Sequence, residues 1–319
     1  MSAMKKGIIS LGEALIDFIP VDSENLVYQK SPGGAPANVA VGLARLGAPS
    51  SFLGKVGDDV LGTFLKETLQ SLGVNTDHMF LTKEAKTGAV FITLAEGGER
   101  SFDFYIDPSA DRFLHEENLD VSLFAESKIL HYGSISMISG PSKSATVKAV
   151  ELARENGMIV SYDPNLRLSL WENGETAKET ILSMFGKADL IKISEEELEF
   201  LTGESDIEKG VEKLAAYNIP LLFITMGSEG SYAFTKNGAV KIDAMRVNAV
   251  DTTGAGDAFV SGILYQLHEL ETHPGELAAD ELKRIGRFAS VSGGLAASVK
   301  GAMTALPTLG EVENILKKR

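Results

Sequence analysis

The chain has 319 residues, 44% of them hydrophobic and 23% charged, enough for a large core in one α/β domain with an appendage or in two domains of about 150 residues each. Its 30 Lys and Arg against 44 Asp and Glu leave a net charge of -14 with no basic block to offset it, which argues against binding nucleic acid or anionic lipid. Cysteine is absent, which excludes disulfides, thiolate catalysis and cysteine metal sites and fits the cytoplasm.

Residues 1–20 open with Lys5 and Lys6 ahead of apolar residues, in the manner of a secretion signal, but Glu13 and Asp17 interrupt the run. No apolar stretch elsewhere approaches the roughly 18 residues of a membrane span. The expectation is a soluble, cytoplasmic chain with neither a membrane nor a nucleic-acid partner. Residues 7–20 read as a strand running on into a second extended piece, with Gly12 at the break. A dinucleotide fingerprint needs a glycine-rich turn leading straight into a helix, and this single glycine argues against a nicotinamide-dependent dehydrogenase.

In residues 31–47 the paired Gly33 and Gly34 precede a helix whose apolar positions Val39, Leu43 and Leu46 follow its period, and Gly47 stops it. Asn38 follows Pro36 and so lies inside that helix, where its amide cannot be a cap and needs another partner. Residues 51–59 read as a strand ending in a turn, and 61–73 as the next helix. Residues 87–105 form two alternating runs around Gly97-Gly98, a predicted β-hairpin. Its Phe91, Phe102, Phe104 and Tyr105 are apolar material that must be buried against something.

From Lys128 strands at 128–134, 158–165 and 188–194 alternate with helices at 141–157, 171–186 and 195–203, and one more helix runs up to Asn218. Residues 219–243 read as a buried strand followed by a hairpin turning at Asn237-Gly238. Helices at 258–270, 281–301 and 308–319 finish the chain. Strands alternating with helices predict a parallel sheet covered on both faces. No internal repeat or low-complexity linker interrupts it.

The chemistry centres on DTTGAGD, residues 251–257. Phe259, Ile263, Leu267 and Leu270 recur at helical spacing beyond it, so Gly254, Ala255 and Gly256 lie where a helix begins. A helix start offers unpaired N–H groups and the positive end of the macrodipole, and small residues let an anion approach the backbone. A carboxylate at Asp257, one step past that nest, is badly placed to bind a phosphate but well placed to take a proton from a hydroxyl attacking it. That combination suggests phosphoryl transfer. A bare GAGD would equally serve as a capped helix entry. There is no Walker motif, so this turn rather than a P-loop must hold the phosphates. His78, His115, His131, His268 and His273 show no metal-ligand spacing.

The full DTTGAGD stretch, with GGAPAN at residues 33–38 and GKVGDD at 54–59, resembles the two signatures of the ribokinase-like (PfkB) family of carbohydrate kinases, and the resemblance runs through nearly the whole chain. It implies a three-layer αβα sandwich with a mostly parallel central sheet and a small β-sheet lid. Residues 1–319 would form one kinase domain, its lid built from segments near 13–30 and 87–106. In the family the turn at Gly254, Ala255 and Gly256 forms an anion hole and the aspartate at Asp257 is the base. The strand-end residues Asp17, Asn38, Asn165 and Arg167 are the candidate sugar-binding groups, with Gly33 and Gly34 giving close backbone approach.

On the nucleotide side the resemblance puts Thr225, Gly227 and Gly230 against ATP. Glu197 is implied as the glutamate that organises Mg²⁺, through water. Ser194 stands where the family usually has asparagine, which puts its contact with phosphate in doubt. Asp251, Thr253 and Gly301 lie near a monovalent-cation site common in the family, a candidate for K⁺. Within the family, residues 12–20, 33–47, 54–59, 131–136, 161–171 and 191–203 look most like fructokinases, implying phosphorylation of D-fructose at its 6-hydroxyl. The nearest rival is 2-keto-3-deoxygluconate kinase, whose acidic substrate needs a cation such as Arg167; ribokinase ranks below it. A catalytically silent sugar- or nucleotide-binding regulator is the alternative from another class. An apolar-faced lid also suits a homodimer.

Overall fold

Strand β1 (Gly7–Leu11) is buried almost throughout, and at Gly12 (φ 150°) the chain bends into β2 (Leu15–Pro20) and β3 (Tyr28–Gly33). This is the computed structural model of the chain, and it describes residues 6–94, 100–105 and 108–318. Helix α1 (Ala35–Arg45) starts at Gly34 with Pro36 in its first turn and gives way to Gly47 at φ 91°. Val39, Leu43 and Leu46 are all buried, as their spacing predicts. After β4 (Ser50–Gly57), the Asp59 carboxylate accepts from the N–H groups of Leu61 and Gly62 and so starts α2 (Val60–Ser71). The next strand, β5 (Met79–Thr82), has four residues, too few for alternation to announce it.

Strands β6 (Ala89–Leu94) and β7 (Arg100–Tyr105) pair antiparallel as expected; the Gly97-Gly98 turn lies outside the described residues. A short helix α3 (Val121–Glu126) leads to β8 (Ser127–Tyr132), and then α4 (Ser142–Glu155), β9 (Ile159–Tyr162), α5 (Gly174–Ser183) and β10 (Leu190–Ser194) keep the predicted rhythm. Helices α6 (Glu195–Thr202) and α7 (Ile207–Leu214) precede β11 (Leu221–Thr225). The hairpin of β12 (Ser231–Thr235) and β13 (Gly238–Ile242) turns one residue earlier than predicted. Thr235 pairs with Gly238, so Lys236 and Asn237 make the loop, and Gly238 re-enters the ladder at φ 123°. Helices α8 (Ala255–His268), α9 (Ala279–Ala297) and α10 (Leu309–Lys317) complete the chain.

The central sheet has nine strands in the order β13-β12-β11-β10-β9-β8-β1-β4-β5, parallel from β11 to β5 and antiparallel through the β12–β13 hairpin. On one face Ile8, Ile129, Leu190 and Phe223 pack against Val39 and Leu43 of α1, Phe259 and Ile263 of α8, and Ile285 of α9. On the other, Ile9, Leu130, Val160 and Ile191 meet Ala149 of α4, Ile181 of α5 and Leu198 of α6. Both faces are therefore covered, and the chain is the αβα sandwich that its alternation predicts. A second sheet, in the order β3-β2-β6-β7, grows directly out of β1. Phe18 and Phe91 stack in it at 4.7 Å, with Tyr28 and Tyr105 edge-on. The Lys30 ammonium lies 3.6 Å from the centre of the Phe64 ring of α2, tying this sheet to the main body.

Phe223 joins the sheet to α8 through an edge-on contact with Phe259 at 5.9 Å and is fully buried. Phe223→Ala should therefore cost about 3–5 kcal/mol, read as a lower urea midpoint with an unchanged slope.

Candidate active site

The link from β13 to α8 is pinned before it turns. The Asp251 carboxylate accepts from Thr253 N–H at 3.0 Å through Oδ1 and from Gly301 N–H at 3.2 Å through Oδ2. The structure thus brings together the three residues singled out for a monovalent cation, with Gly301 at φ 109°. Gly254 follows at φ 77° as the N-cap of α8. Ala255 already donates its N–H to Thr252 O at 3.1 Å, so it offers no free donor to a ligand. Gly256 and Asp257 are the N–H groups left at the head of this 14-residue helix without an acceptor among the described residues.

Asp257 is buried in the first turn of α8, and its Oδ2 accepts a 2.7 Å hydrogen bond from Asn38 Nδ2. That bond answers the question Asn38 posed in the sequence: its partner is the carboxylate at the end of DTTGAGD. Burial pushes the Asp257 pKa up to about 6, with Asp163 adding to the rise and Asn38, Lys192 and Arg167 opposing it. A carboxylate so placed is ionised at neutral pH and more basic than an exposed one, as a proton acceptor should be.

Asp17 lies in β2, half-buried, and burial raises its pKa to about 6, against Arg167 and with Asp257. Gly33 sits beside it because a Cβ there would collide with the Asp17 carboxylate, and Gly34 (φ 102°) because one there would strike the Glu13 carbonyl. Glu13 is itself buried, its pKa pushed up to about 8 by burial, and its Oε1 accepts from Ala35 N–H at 3.2 Å, fixing the start of α1. Asn165 adopts the left-handed conformation at φ 47° just after β9. Arg167 is exposed, and its guanidinium donates to Leu166 O at 3.0 Å.

A cavity of about 440 Å³ lies between the loop after β9 and the β10–α6 junction. Asn165, Leu166 and Arg167 line it from the loop after β9, and Lys192, Ser194 and Glu197 from β10 and α6. Ser194 and Glu197 form a reciprocal cap: Ser194 Oγ accepts from Glu197 N–H at 3.2 Å, and Glu197 Oε2 from Ser194 N–H at 2.8 Å. Glu197 Oε1 also accepts from Leu166 N–H at 2.7 Å, holding the loop after β9 against α6. Burial raises its pKa, Asp163 adds to that and Lys192 opposes it. Thr225 faces Ser194 across the β10–β11 ladder. Gly227 (φ 52°) and Gly230 (φ 98°) shape the turn beyond, and a Cβ at Gly230 would strike the Ile242 carbonyl, so that glycine is required by packing alone.

Two residues that sequence reasoning passed over stand at the centre. Lys192 Nζ donates to Asp163 Oδ2 at 3.1 Å, and both side chains are buried. Burial pulls the Lys192 pKa down, but Asp163 and Glu197 more than reverse it, so the ammonium persists. A lysine in a strand otherwise made of Leu190, Ile191 and Ile193 was the available signal. His131, by contrast, is a packing residue: burial holds its pKa down to about 4, and its Nδ1 shares a hydrogen bond with Ser161 Oγ.

Residues 5–309 match the family model described as pfkB family carbohydrate kinase. The Arabidopsis thaliana protein named probable fructokinase-6, chloroplastic, is 47% identical over 98% of this chain and 82% of its own length. A solved fructokinase from Xylella fastidiosa with bound ATP gives a TM-score of 0.93 at 34% identity, covering 99% of both chains. A fructokinase double mutant from Vibrio cholerae O395, with fructose, ADP and potassium ion bound, gives 0.90 at 39% identity, covering 98% of both chains.

A buried carboxylate whose pKa is raised on folding weakens the fold where it is ionised. For Asp257 the penalty is absent below the unfolded value of about 4, grows as pH rises and is complete above about 6. Asp257→Asn, which keeps an acceptor for Asn38, should therefore be more stable than the parent at pH 8 by up to about 3 kcal/mol, read as a higher unfolding temperature, and should unfold at the same temperature near pH 4. Lower stability at pH 8 would contradict this account.

Proposed function

The chain belongs to the pfkB family of carbohydrate kinases, and from that premise we propose that it transfers the terminal phosphate of ATP to the 6-hydroxyl of D-fructose. The observation that carries this reading is the buried Asp257 carboxylate, held by Asn38 one step beyond the N–H groups at the head of α8. Asp257 takes the hydroxyl proton as the sugar oxygen attacks, and the small-residue turn Gly254–Gly256 lets the phosphate in transit reach the free N–H groups of Gly256 and Asp257. Asp17, Asn38, Asn165 and Arg167 hold the sugar hydroxyls, with Gly33 and Gly34 giving backbone approach. Asn38 Oδ1, buried without a partner, is an acceptor that a hydroxyl would satisfy.

Ser194, Thr225, Gly227 and Gly230 are assigned to the nucleotide. Mg²⁺ carried by ATP offsets phosphate charge and takes few protein ligands. Glu197 suits contact through water, since both its oxygens already accept backbone N–H groups. No group of three or more His, Cys, Asp or Glu among the described residues could hold a metal by itself, which fits an ion bound chiefly by phosphate and water. Asp251, Thr253 and Gly301 are assigned to K⁺, beside the turn that they position. A neutral sugar suits the site better than 2-keto-3-deoxygluconate, because Asp17 and Asp257 already share the field of Arg167.

We read residues 1–319 as one kinase domain with the second sheet as its lid, closing over the sugar to exclude water. The exposed Val21, Leu26, Val27 and Tyr105 of that lid suit contact with a second copy, so sedimentation at micromolar concentration should give a dimer, and Leu26→Glu with Val27→Lys a monomer. No helix among the described residues is long and apolar enough to cross a membrane. The acidic, cysteine-free composition fits the cytoplasm, with the plastid named for the Arabidopsis relative as the other compartment.

The decisive assay couples ADP formation to MgATP with D-fructose, 2-keto-3-deoxygluconate, ribose or no sugar, with and without K⁺. Fructose-dependent turnover should fall by roughly 10² to 10⁴ in Asp257→Asn. In the parent enzyme kcat/KM should fall tenfold per pH unit below about 6, as Asp257 is protonated in the field of Asp163, Lys192 and Arg167. Activity only with the keto-acid would keep the mechanism and overturn the substrate. Near-parental turnover in Asp257→Asn would remove the base.

A further inference from the structure

A charged side chain inside a parallel sheet is costly to desolvate, and an ion pair made there for stability alone is usually no better than an apolar pair of the same volume. Lys192 and Asp163 form such a pair at 3.1 Å, with side chains 11% and 6% exposed. The β9–β10 register, Leu190 with Ser161 and Ile191 with Tyr162, carries on to set Lys192 beside Asp163. Its position has a second property. If Gly256 had a Cβ, the one atom outside its own helix backbone and chain neighbours within 4 Å would be Lys192 Nζ, at 3.6 Å. The ammonium therefore stands against the backbone of the turn that starts α8. It also lines the cavity shared with Arg167, Ser194 and Glu197.

We propose that Lys192 is a catalytic residue whose ammonium contacts the phosphoryl group in transit, and that Asp163 is the positioning residue that keeps it aimed at the Gly256 turn. This rests on the kinase reading above. As the bond from the sugar oxygen to phosphorus forms, the bond from phosphorus to the departing ADP oxygen breaks, and ADP keeps that electron pair. The hydroxyl proton goes to Asp257. Lys192 gives up no proton; with the N–H groups of Gly256 and Asp257 it covers the charge on the phosphoryl oxygens. Asp163 accepts from Lys192 Nζ at 3.1 Å, and its role is to fix the lysine's direction.

The test compares full-length Lys192→Met, Lys192→Arg and Asp163→Asn with the parent chain. Lys192→Met should lower kcat at saturating MgATP and fructose by roughly 10² to 10³, with the fructose KM changed by less than about threefold. Measured by calorimetry without sugar, its affinity for ATP should fall while that for ADP holds, because the cation addresses the phosphate that ADP lacks. Lys192→Arg should recover part of kcat. Asp163→Asn should show a smaller loss with the same split between ATP and ADP. Turnover within threefold of the parent in Lys192→Met, or equal loss of ATP and ADP affinity, would overturn the proposal. If Lys192→Met does not fold, the ATP-to-ADP affinity ratios of the other two variants decide by the same criterion. A parent chain that turns over no sugar would sink the kinase reading, while those ratios would still judge Lys192.

Discussion

The 2.7 Å hydrogen bond from Asn38 to Asp257, residues 219 positions apart in the chain, joins two helices that rest on the same face of the central sheet. Much of the surrounding architecture holds its two ends in place. Glu13 anchors the first N–H of α1, and Gly34 can lie against the Glu13 backbone only because it lacks a side chain. On the other side Asp251 binds Thr253 and Gly301, so the turn into α8 is set before the helix begins. Phe223 and Phe259 then pack that helix onto the sheet. A carboxylate kept out of water at such cost is a poor choice for stability and a good one for accepting a proton.

The acidity of the whole chain makes the local electrostatics more telling. A protein of net charge -14 that handles a nucleoside triphosphate must supply positive potential at one place rather than over its surface. The site does so with oriented N–H groups at the head of α8, the Lys192 ammonium and the Arg167 guanidinium. The carboxylates Asp17, Asp163, Glu197 and Asp257 interleave with them. Each cation is thereby directed, and each carboxylate is held by a hydrogen bond or by a neighbouring cation.

Much of the fold was legible in the sequence because helical and strand periods, glycine stops and Pro36 act locally. The rhythm from β8 to α7 and the entry into α8 are of that kind. Strand β5 was not, since four residues at the edge of the sheet leave no period to read. Nor was the exact turn of the last hairpin, where Gly238 marks the return to the ladder rather than the loop. Within the site, Asp257, Asn38 and the glycines stood out because their neighbours in sequence make an unusual pattern. Lys192 and Asp163 lie 29 positions apart, and only the β9–β10 register makes them partners. Glu13 was read as no more than an interruption of an apolar run, because the bond that gives it a role runs to Ala35 on another element.

Strand β2 belongs to the second sheet, yet it carries Asp17 and continues without a helix from β1 through the Gly12 bend. The carboxylate assigned to the sugar therefore rides on the element assigned to shielding it from water. In the proposed reading recognition and shielding are mechanically one part, so a compound wedged between β2 and the body of the molecule would remove a substrate contact and flood the reaction centre together. On that reading mutational drift in this strand carries the same double liability: a change in which sugar is accepted is also a change in how well the chamber is sealed.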